Sequence, residues 1–324
     1  MLIGHRSGAR VLPLLLLNLV AAAPSPAADA PVPDFSRADQ LIETAIDRGL
    51  APGAVLLVGQ GDRVLYRKAY GNRSLQPHRE AMTVDTIFDL ASLSKPVGCA
   101  TSIMLLAERG KLDVHDPVSK YLPAFASHGK DKITIEHLLL HRGGLVPDNP
   151  IEDYARGPAE AMKRVTDQTP VAEPGARFIY SDVGYIVLGE VVRAVAGKPL
   201  EQFAKEEIFA PLRMADASYR PPESLKPRIA PTERREGRWM VGEVHDPRAY
   251  ALGGVAGHAG LFGTADDLAR FCRMILAGGQ LDGTRVLAEQ TVREMTTLRT
   301  FSDGDNRSWG FDVDTPYSSP RGEE

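Results

Sequence analysis

The sequence predicts an α+β fold that begins with an antiparallel hairpin and continues mainly with helices. Two strand-like runs joined at Gly61-Asp62 within residues 53–71 indicate the hairpin, because a glycine-containing turn between such runs is a typical hairpin signal. From residue 92 onward, apolar residues recur mostly at helical spacing. The next strand-like run is WGFDVD, at residues 309–314.

Five segments predict helices. The first, residues 35–50, precedes the hairpin and offers Ser36 as its cap. The later four end at or beside a glycine, a residue that favours helix C-termini. They are residues 94–110, residues 134–144 with Thr134 as cap, residues 184–197, and residues 264–279 with Thr264 as cap. Residues 220–239 are rich in proline and charge and predict a surface loop.

The composition is that of an ordinary globular protein. Of 324 residues, 43% are hydrophobic and 25% are charged, and the formal charge is −4 without a long run of Lys or Arg. This charge balance argues against a nucleic-acid partner. The two cysteines, Cys99 and Cys272, cannot make a disulfide framework, and their apolar helical surroundings predict core packing rather than a disulfide or a reactive thiol.

Residues 1–30 predict a secretory signal peptide. Basic residues up to Arg10 precede an apolar run over residues 11–23, and Ala28-Asp29-Ala30 offers a cleavage site. The apolar run is too short to span a bilayer. No cysteine lies near the cleavage site, so a lipid anchor there is not supported. We therefore expect one exported domain over residues 31–324, secreted or in a bacterial periplasm, with no integral membrane segment after signal removal.

Ser92 and Lys95 are the first candidates for chemistry. Residues three apart share one face of a helix, which would hold the Lys95 ammonium beside the Ser92 hydroxyl at a helix N-terminus, where the N–H groups favour a developing anion. A second Ser-x-x-Lys, Ser127 to Lys130, lies where no helical periodicity aligns it. The structural alternative is that Ser92 or Ser94 only caps the helix.

Tyr180, Ser181 and Asp182 stand in a turn directly before another predicted helix. A nearby lysine would stabilise a tyrosine phenolate, which could take the proton from Ser92 as general base. The structural alternatives are a partly buried aromatic ring for Tyr180 and a helix cap for Asp182.

Three segments together resemble the penicillin-binding serine hydrolases related to class C β-lactamases, a group that includes D-alanyl-D-alanine carboxypeptidases, β-lactamases and esterases. The segments are SLSK at residues 92–95, IEHLLLHRGGL at 135–145 and YSDVGY at 180–185, and the glycine-rich stretch at 244–271 adds to the match. The resemblance runs from about residue 36 to the C-terminus. It implies an antiparallel sheet flanked by helices, an all-helical region, and a site between them.

The resemblance also implies the chemistry. Ser92 is the implied acylated nucleophile, Lys95 its proton partner and Tyr180 the base, in an acyl transfer followed by hydrolysis without metal or cofactor. Asp182, His258 and Gly260 are the candidate substrate-binding residues.

Two positions depart from the family pattern. Asp182 stands where relatives usually have asparagine, and an ionised carboxylate can only accept hydrogen bonds, which leaves ester substrates more open than amides. The family's third motif is a Lys- or His-led triplet that ends in glycine on a strand. His258-Ala259-Gly260 has these letters but little strand character, so a structural turn ahead of the Thr264 helix is the alternative.

The C-terminus suggests a further departure. In relatives, a segment like residues 308–322 comes shortly before the third motif and the closing strands, and a two-stranded hairpin without further partners is marginal. We therefore expect a chain that is shortened relative to its family. A missing strand would remove one oxyanion-hole donor, at a cost of about 2.7–4 kcal/mol.

Two histidine patterns favour structural roles. His137 and His141 lie four residues apart, but Glu136 precedes the first histidine, so the H-E-x-x-H order of zinc enzymes is absent. His245-Asp246 fits a site loop, although a surface turn before Pro247 is the favoured interpretation.

The sequence thus predicts a serine hydrolase that forms an acyl-serine intermediate with an amide or ester. The expected substrate is a small molecule or is derived from peptidoglycan: a β-lactam, a D-alanyl peptide or a carboxylic ester. The alternatives are a non-catalytic relative that binds cell-wall peptide and an inactive fragment.

Overall fold

The N-terminal hairpin forms the larger part of a three-stranded antiparallel sheet. The computed structural model describes residues 33–318, so the expected signal peptide lies outside the described residues. Strands β1 (Gly53–Gln60) and β2 (Arg63–Ser74) pair around the Gly61-Asp62 turn, as predicted, and β3 (Glu80–Ala81) pairs with β2. The helix before the hairpin packs against β2, and a later helix packs against β1. These contacts give the hairpin partners that the sequence left undefined.

The helices that follow the hairpin form the larger part of the described chain. The α-helices are α1 (Ser36–Asp47), α2 (Thr101–Glu108), α3 (Ile135–Leu139), α4 (Pro158–Thr166), α5 (Asp182–Ala196), α6 (Leu200–Ala204), α7 (Pro247–Ala251), α8 (Ala265–Leu276) and α9 (Glu289–Thr296). Shorter 3₁₀ segments are Ala91–Leu93, Val118–Lys120, Pro123–Lys132, Ile151–Tyr154 and Glu223–Arg228, and π-helical segments are Lys95–Ala100 and Lys205–Phe209. No helix within residues 33–318 is both long enough and apolar enough to cross a bilayer.

Short strand pairs connect the helical segments. They are β4 (Phe88–Asp89), β5 (Ser218–Tyr219), β6 (Arg234–Arg235), β7 (Arg238–Trp239), β8 (Leu261–Gly263), β9 (Gln280–Leu281), β10 (Thr284–Arg285), β11 (Asn306–Arg307) and β12 (Asp312–Asp314). The last of these lies within the strand-like run predicted at residues 309–314. Strands β4, β8 and β5 form a second three-stranded sheet in that order, which the sequence did not predict.

The predicted helix ends are mostly confirmed. Thr134 and Thr264 each form a capping box at the start of α3 and α8, and Gly197 adopts the left-handed conformation after α5. The cap predicted at Ser36 is wrong, because α1 already begins there and Phe35 holds the capping position.

Two further predictions needed correction. Cys99 is fully buried, as predicted, but the prediction of core packing is wrong for Cys272, which is exposed in an open apolar groove between α8 and β1. Residues 220–239, predicted as an irregular loop, contain a 3₁₀ turn and the β6–β7 hairpin.

The hydrophobic core lies around α2 and α5. Helix α5 packs against α2 and against the π-helical segment Lys95–Ala100, which precedes α2. Ile103 of α2 and Val187 of α5 are fully buried, and so is the ring of Tyr185. Ser92 and Lys95 immediately precede this buried segment and are therefore anchored by the core.

Asp39 ties α1 to the first sheet and makes the acid stability of the protein testable. Its carboxylate accepts hydrogen bonds from Lys68, Tyr70 and Tyr66, in that order of effect, and these lower its pKa from 3.8 to about 2. The carboxylate stabilises the folded protein fully above pH 4, where it is ionised in both the folded and the unfolded state. This stabilisation is lost as the pH falls from 4 through 2, because the unfolded state binds the proton first and the folded state binds it only near pH 2.

We expect Asp39→Asn to lower the melting temperature at pH 7 and to approach the wild type near pH 2. Asp62→Asn, in the exposed hairpin turn, is the control and should follow the wild type at every pH. A constant difference between Asp39→Asn and the wild type across this pH range would contradict the assignment.

Candidate active site

The second sheet brings two distant segments together beside Ser92. Strand β4 ends just before the serine, and β8 begins just after Gly260. Asp89 of β4 pairs with Phe262 of β8, and the Ser94 hydroxyl accepts a hydrogen bond from the Leu261 N–H at 3.0 Å. Ser94 therefore ties the helical segment to β8, and neither Ser92 nor Ser94 caps the helix with its side chain.

Lys95 contacts Ser92 as the sequence predicted. The Lys95 ammonium donates to the Ser92 Oγ at 2.9 Å, and Lys95 is only 3% exposed. Its other two partners are a carboxylate oxygen of Asp182 at 2.7 Å and the carbonyl oxygen of His258 at 3.4 Å. Two hydrogen bonds and one ion pair thus surround the ammonium and hold the lysine in place.

Tyr180 lies beside this cluster, with its ring rather than its hydroxyl toward the lysine. The Lys95 Nζ is 4.8 Å from the centre of the Tyr180 ring, a distance at which a ring face attracts a cation. The ring is stacked between His141 and Tyr317, with centroid distances of 4.4 and 4.6 Å. Within residues 33–318, no hydrogen bond joins the Tyr180 hydroxyl to Ser92, so the expected role of Tyr180 as base stays a prediction.

His141 and His137 support the site through protein contacts. His141 is buried under Tyr180, and its Nδ1 accepts the Ser181 N–H at 2.9 Å. Burial, together with the charges of Arg307 and Lys95, holds the pKa of His141 well below its usual value, so the ring is neutral. His137 accepts the Thr134 N–H in the α3 capping box. Both contacts agree with the structural roles favoured from the sequence.

Asp182 is an ion-pair partner, not a helix cap. Ser181 holds the N-cap position of α5, where its hydroxyl accepts the Gly184 N–H at 3.1 Å. Asp182 is the first residue of α5, and its carboxylate points to Lys95 instead. This carboxylate is the ion-pair partner of the buried lysine, so Asp182 belongs to the candidate site.

His258 reaches the site through its backbone, and Gly260 makes the turn that leads into β8. The carbonyl group of His258 contacts Lys95. The residue is 1% exposed, and the Nε2 of its ring lies 2.9 Å from an Asp246 carboxylate oxygen. Gly260 leads into β8 at a φ of +112°, where a Cβ atom would lie 2.5 Å from the Gly254 carbonyl oxygen. Only glycine fits this turn. Residues 258–260 therefore border the site and also form a structural turn, so the two interpretations drawn from the sequence both apply.

Sequence reasoning missed two acidic residues that organise the site. The Asp89 side chain, 1% exposed, accepts the Ala91 N–H just before Ser92 and pairs with His245. Asp246 caps α7 through the Ala249 N–H and contacts His258. His245-Asp246 is thus more than the surface turn that the sequence favoured. Its position within the glycine-rich stretch at residues 244–271 was the available signal.

Asp182, Asp246 and His258 are the candidate ligands for a metal ion in the described chain. One ligand atom from each lies within 4.8 Å of the others. However, the Lys95 ammonium is 2.7 Å from Asp182 and already neutralises that carboxylate, so a divalent ion would meet a fixed positive charge. The residues present fit a lysine-centred site better than a metal centre.

The comparison with known families decides the family. A model described as beta-lactamase matches residues 38–319, which is most of the chain. The chain belongs to the beta-lactamase family. This confirms the resemblance drawn from SLSK and YSDVGY. Members of this family are serine hydrolases whose chemistry passes through an acyl-enzyme on amides or esters.

Two relatives and one solved structure show how far the family likeness extends. An N-acetylmuramyl-L-alanine amidase of Bacillus subtilis is 34% identical over 290 residues, which cover 79% of this chain and 66% of the relative. A putative D-alanyl-D-alanine carboxypeptidase of Escherichia coli K12 is 31% identical over 299 residues, 81% of this chain and 68% of the relative. This chain thus spans about two thirds of the length of these relatives.

The solved structure confirms the predicted fold class. EstCE1, described as a hydrolase with promiscuous acyltransferase activity, has a TM-score of 0.72 and 25% identity, and the match covers 89% of this chain and 85% of that one. The α+β arrangement of small antiparallel sheets and many helices is therefore the family fold.

Proposed function

We propose that the protein is a serine hydrolase in which the substrate acylates Ser92 and water then releases the acyl group. The observation that carries the proposal is the 2.9 Å contact of Ser92 Oγ with a lysine that is 3% exposed. Ser92 itself is exposed to solvent, and the buried ammonium beside it is paired with Asp182. A hydroxyl that is open to substrate and contacts a paired lysine favours catalysis over the non-catalytic binding role.

The proposed reaction moves one proton between Ser92 and its neighbours. Lys95 first gives one ammonium proton to water. The neutral amine then takes the Ser92 proton as the serine oxygen bonds to the substrate carbonyl carbon, and it passes that proton to the leaving group as the bond to the leaving group breaks. Asp182 at 2.7 Å and the ring face of Tyr180 at 4.8 Å stabilise the charged lysine. The contact distance favours Lys95 over Tyr180 as the group that exchanges the proton directly.

The proposed substrates are small amides or esters, including fragments derived from peptidoglycan. The activities for which the amidase and carboxypeptidase relatives are named support an amide from the cell wall. Asp182 supports an ester, because a carboxylate cannot donate to an amide carbonyl group. The test is hydrolysis of a p-nitrophenyl ester, a chromogenic cephalosporin and a D-alanyl-D-alanine peptide. We expect the ester to react fastest, and no turnover of any of them would overturn the proposal.

The Asp182→Asn variant tests the role of this residue in substrate choice. The amide group of asparagine adds a donor toward a substrate carbonyl, and one hydrogen bond contributes about 0.5–1.5 kcal/mol, or up to about tenfold in rate. We expect the ratio of amide to ester hydrolysis to rise up to about tenfold, although both rates fall with the loss of the Lys95 ion pair.

Asp148→Asn is the control for that variant. Asp148 is an exposed carboxylate on the neighbouring loop, where it pairs with Arg248. Its substitution should leave the amide-to-ester ratio unchanged. A ratio that does not rise in Asp182→Asn, or that rises equally in Asp148→Asn, would contradict a role of Asp182 in substrate choice.

We also propose that the protein is exported, on the basis of the sequence of residues 1–30. When the full chain is expressed in a bacterium, the mature protein should begin after Ala30 and appear in the periplasmic or secreted fraction. N-terminal sequencing of the purified protein checks this. A mature protein that begins at Met1 in the cytoplasm would contradict export.

A further inference from the structure

The His245-Asp246 dipeptide contacts the segments on both sides of the Ser92–Lys95 pair. The first contact is to Asp89. The backbone N–H and the Nδ1 of His245 lie 2.8 and 2.9 Å from one carboxylate oxygen of Asp89. The other oxygen of Asp89 accepts the Ala91 N–H at 2.9 Å. His245 is thus connected to the turn before Ser92 through one buried side chain.

That turn needs a support because its backbone is strained. Ala91 has a φ of +48°, a left-handed conformation that is uncommon for a residue with a side chain and is unfavourable without support. The residue that follows it is Ser92. A loss of the Asp89 contact would let Ala91 relax and would move the serine oxygen away from the Lys95 ammonium.

The second contact of the dipeptide is to the segment before β8. The Asp246 carboxylate lies 2.9 Å from His258 Nε2, and the same oxygen accepts the Ala249 N–H at 2.7 Å. His258 is buried, and its carbonyl oxygen accepts from Lys95. Asp246 therefore holds one of the three acceptors that orient the lysine.

We propose that His245 and Asp246 are positioning residues for acylation of Ser92. His245 acts through Asp89 on the serine turn, and Asp246 acts through His258 on the lysine. The inference rests on the proposed function. Both contacts join segments more than ten residues apart, so a change at either residue shifts the serine relative to the lysine without touching substrate.

The charges agree with this geometry. The hydrogen bond between His245 and the Asp89 carboxylate raises the pKa of His245. Burial opposes ionisation of Asp246, but the hydrogen bond and charge of His258 still hold the pKa of Asp246 far below its usual value. Asp246 therefore acts as a charged acceptor, which forms stronger hydrogen bonds than a neutral one.

Kinetic analysis of single variants tests the proposal. In His245→Ala and Asp246→Asn we expect kcat for ester hydrolysis to fall about 10–100-fold while KM changes less than about threefold, because a misplacement of about 1 Å costs about 10²-fold. Asp246→Asn keeps an oxygen for the α7 cap. His245→Asn keeps a donor where Nδ1 lies and should recover most of the lost kcat.

The matched control is Asp167→Asn. Asp167 and His128 form an exposed pair with the same 2.9 Å distance, and the change should leave kcat unaltered. Unchanged kcat in His245→Ala and Asp246→Asn would overturn the proposal. The proposal would also be overturned if kcat fell only in variants with a lowered melting temperature and His245→Asn were no more active than His245→Ala.

Failure of the proposed function is recognisable separately, because the wild type would then be inactive. The positioning role is then read from crystal structures of the wild type and Asp246→Asn. The distance from Lys95 Nζ to Ser92 Oγ, 2.9 Å in the wild type, should lengthen in the variant, and an unchanged distance would overturn the role. The other groups that face Lys95 are the same in both proteins: Ser92, Tyr180, Asp182, Tyr185, His141, Cys99 and His258.

Discussion

Ser92→Ala should abolish ester hydrolysis, with kcat reduced by at least about 10⁴-fold. Removal of the nucleophile from a serine hydrolase costs on the order of 10⁶ in kcat, and the residual rate comes from binding and oxyanion stabilisation. The loss should appear without a change in melting temperature, because Ser92 does not cap the helix and contributes no buried side chain. Initial rates and a thermal melt of both proteins measure this.

The chain contains a matched control for this variant. Ser127 also receives a hydrogen bond from a lysine three residues later, with 3.3 Å between Lys130 Nζ and Ser127 Oγ. Lys130 also donates to backbone carbonyl groups, so this pair is a structural contact. Ser127→Ala should hydrolyse the ester at the wild-type rate. Equal activity of Ser92→Ala and Ser127→Ala would show that Ser92 is not the nucleophile.

Lys95→Met should produce the second large loss of activity. Methionine has a similar length but cannot exchange a proton, and proton transfer by a positioned group contributes about 10²–10⁴-fold. We therefore expect kcat to fall by about 10²–10⁴-fold with a much smaller change in KM. Steady-state kinetics on the ester measures both parameters.

Lys130→Met separates this effect from the burial of a lysine. Lys130 is as buried as Lys95, but its ammonium is bound to backbone carbonyl groups away from Ser92. We expect Lys130→Met to lower the melting temperature, because it leaves buried carbonyl groups unpaired, while the folded protein keeps its kcat. A kcat for Lys95→Met within threefold of the wild type would contradict a role of Lys95 in proton transfer.

Features with a local cause could be predicted from the sequence. The hairpin turn at Gly61-Asp62, the capping residues Thr134 and Thr264, and the Ser92–Lys95 contact each depend on residues a few positions apart. The Ser36 cap failed for a related reason, since a serine at the right place does not fix which residue starts the helix.

Features that depend on long-range pairing could not be predicted. Strands β4, β5 and β8 have two or three residues, too few for an alternating pattern, although they place His258 beside Lys95. Asp182 has the residue type of a helix cap, and only the folded chain shows that Lys95 attracts it instead. The pairing of His245 with Asp89 spans 156 residues and has no local signal. The expected shortening of the C-terminus stays a prediction.

The central claim is that Ser92, activated by Lys95, is the residue that substrate acylates. Its most direct test is intact-mass spectrometry of the protein after incubation with a fluorophosphonate and, separately, a fluorescent penicillin, followed by peptide mapping of any adduct. We predict a single covalent adduct with the fluorophosphonate, mapped to Ser92, in a protein that unfolds cooperatively. A cooperatively folded protein that gives no adduct, or an adduct on another serine such as Ser127, would contradict the claim.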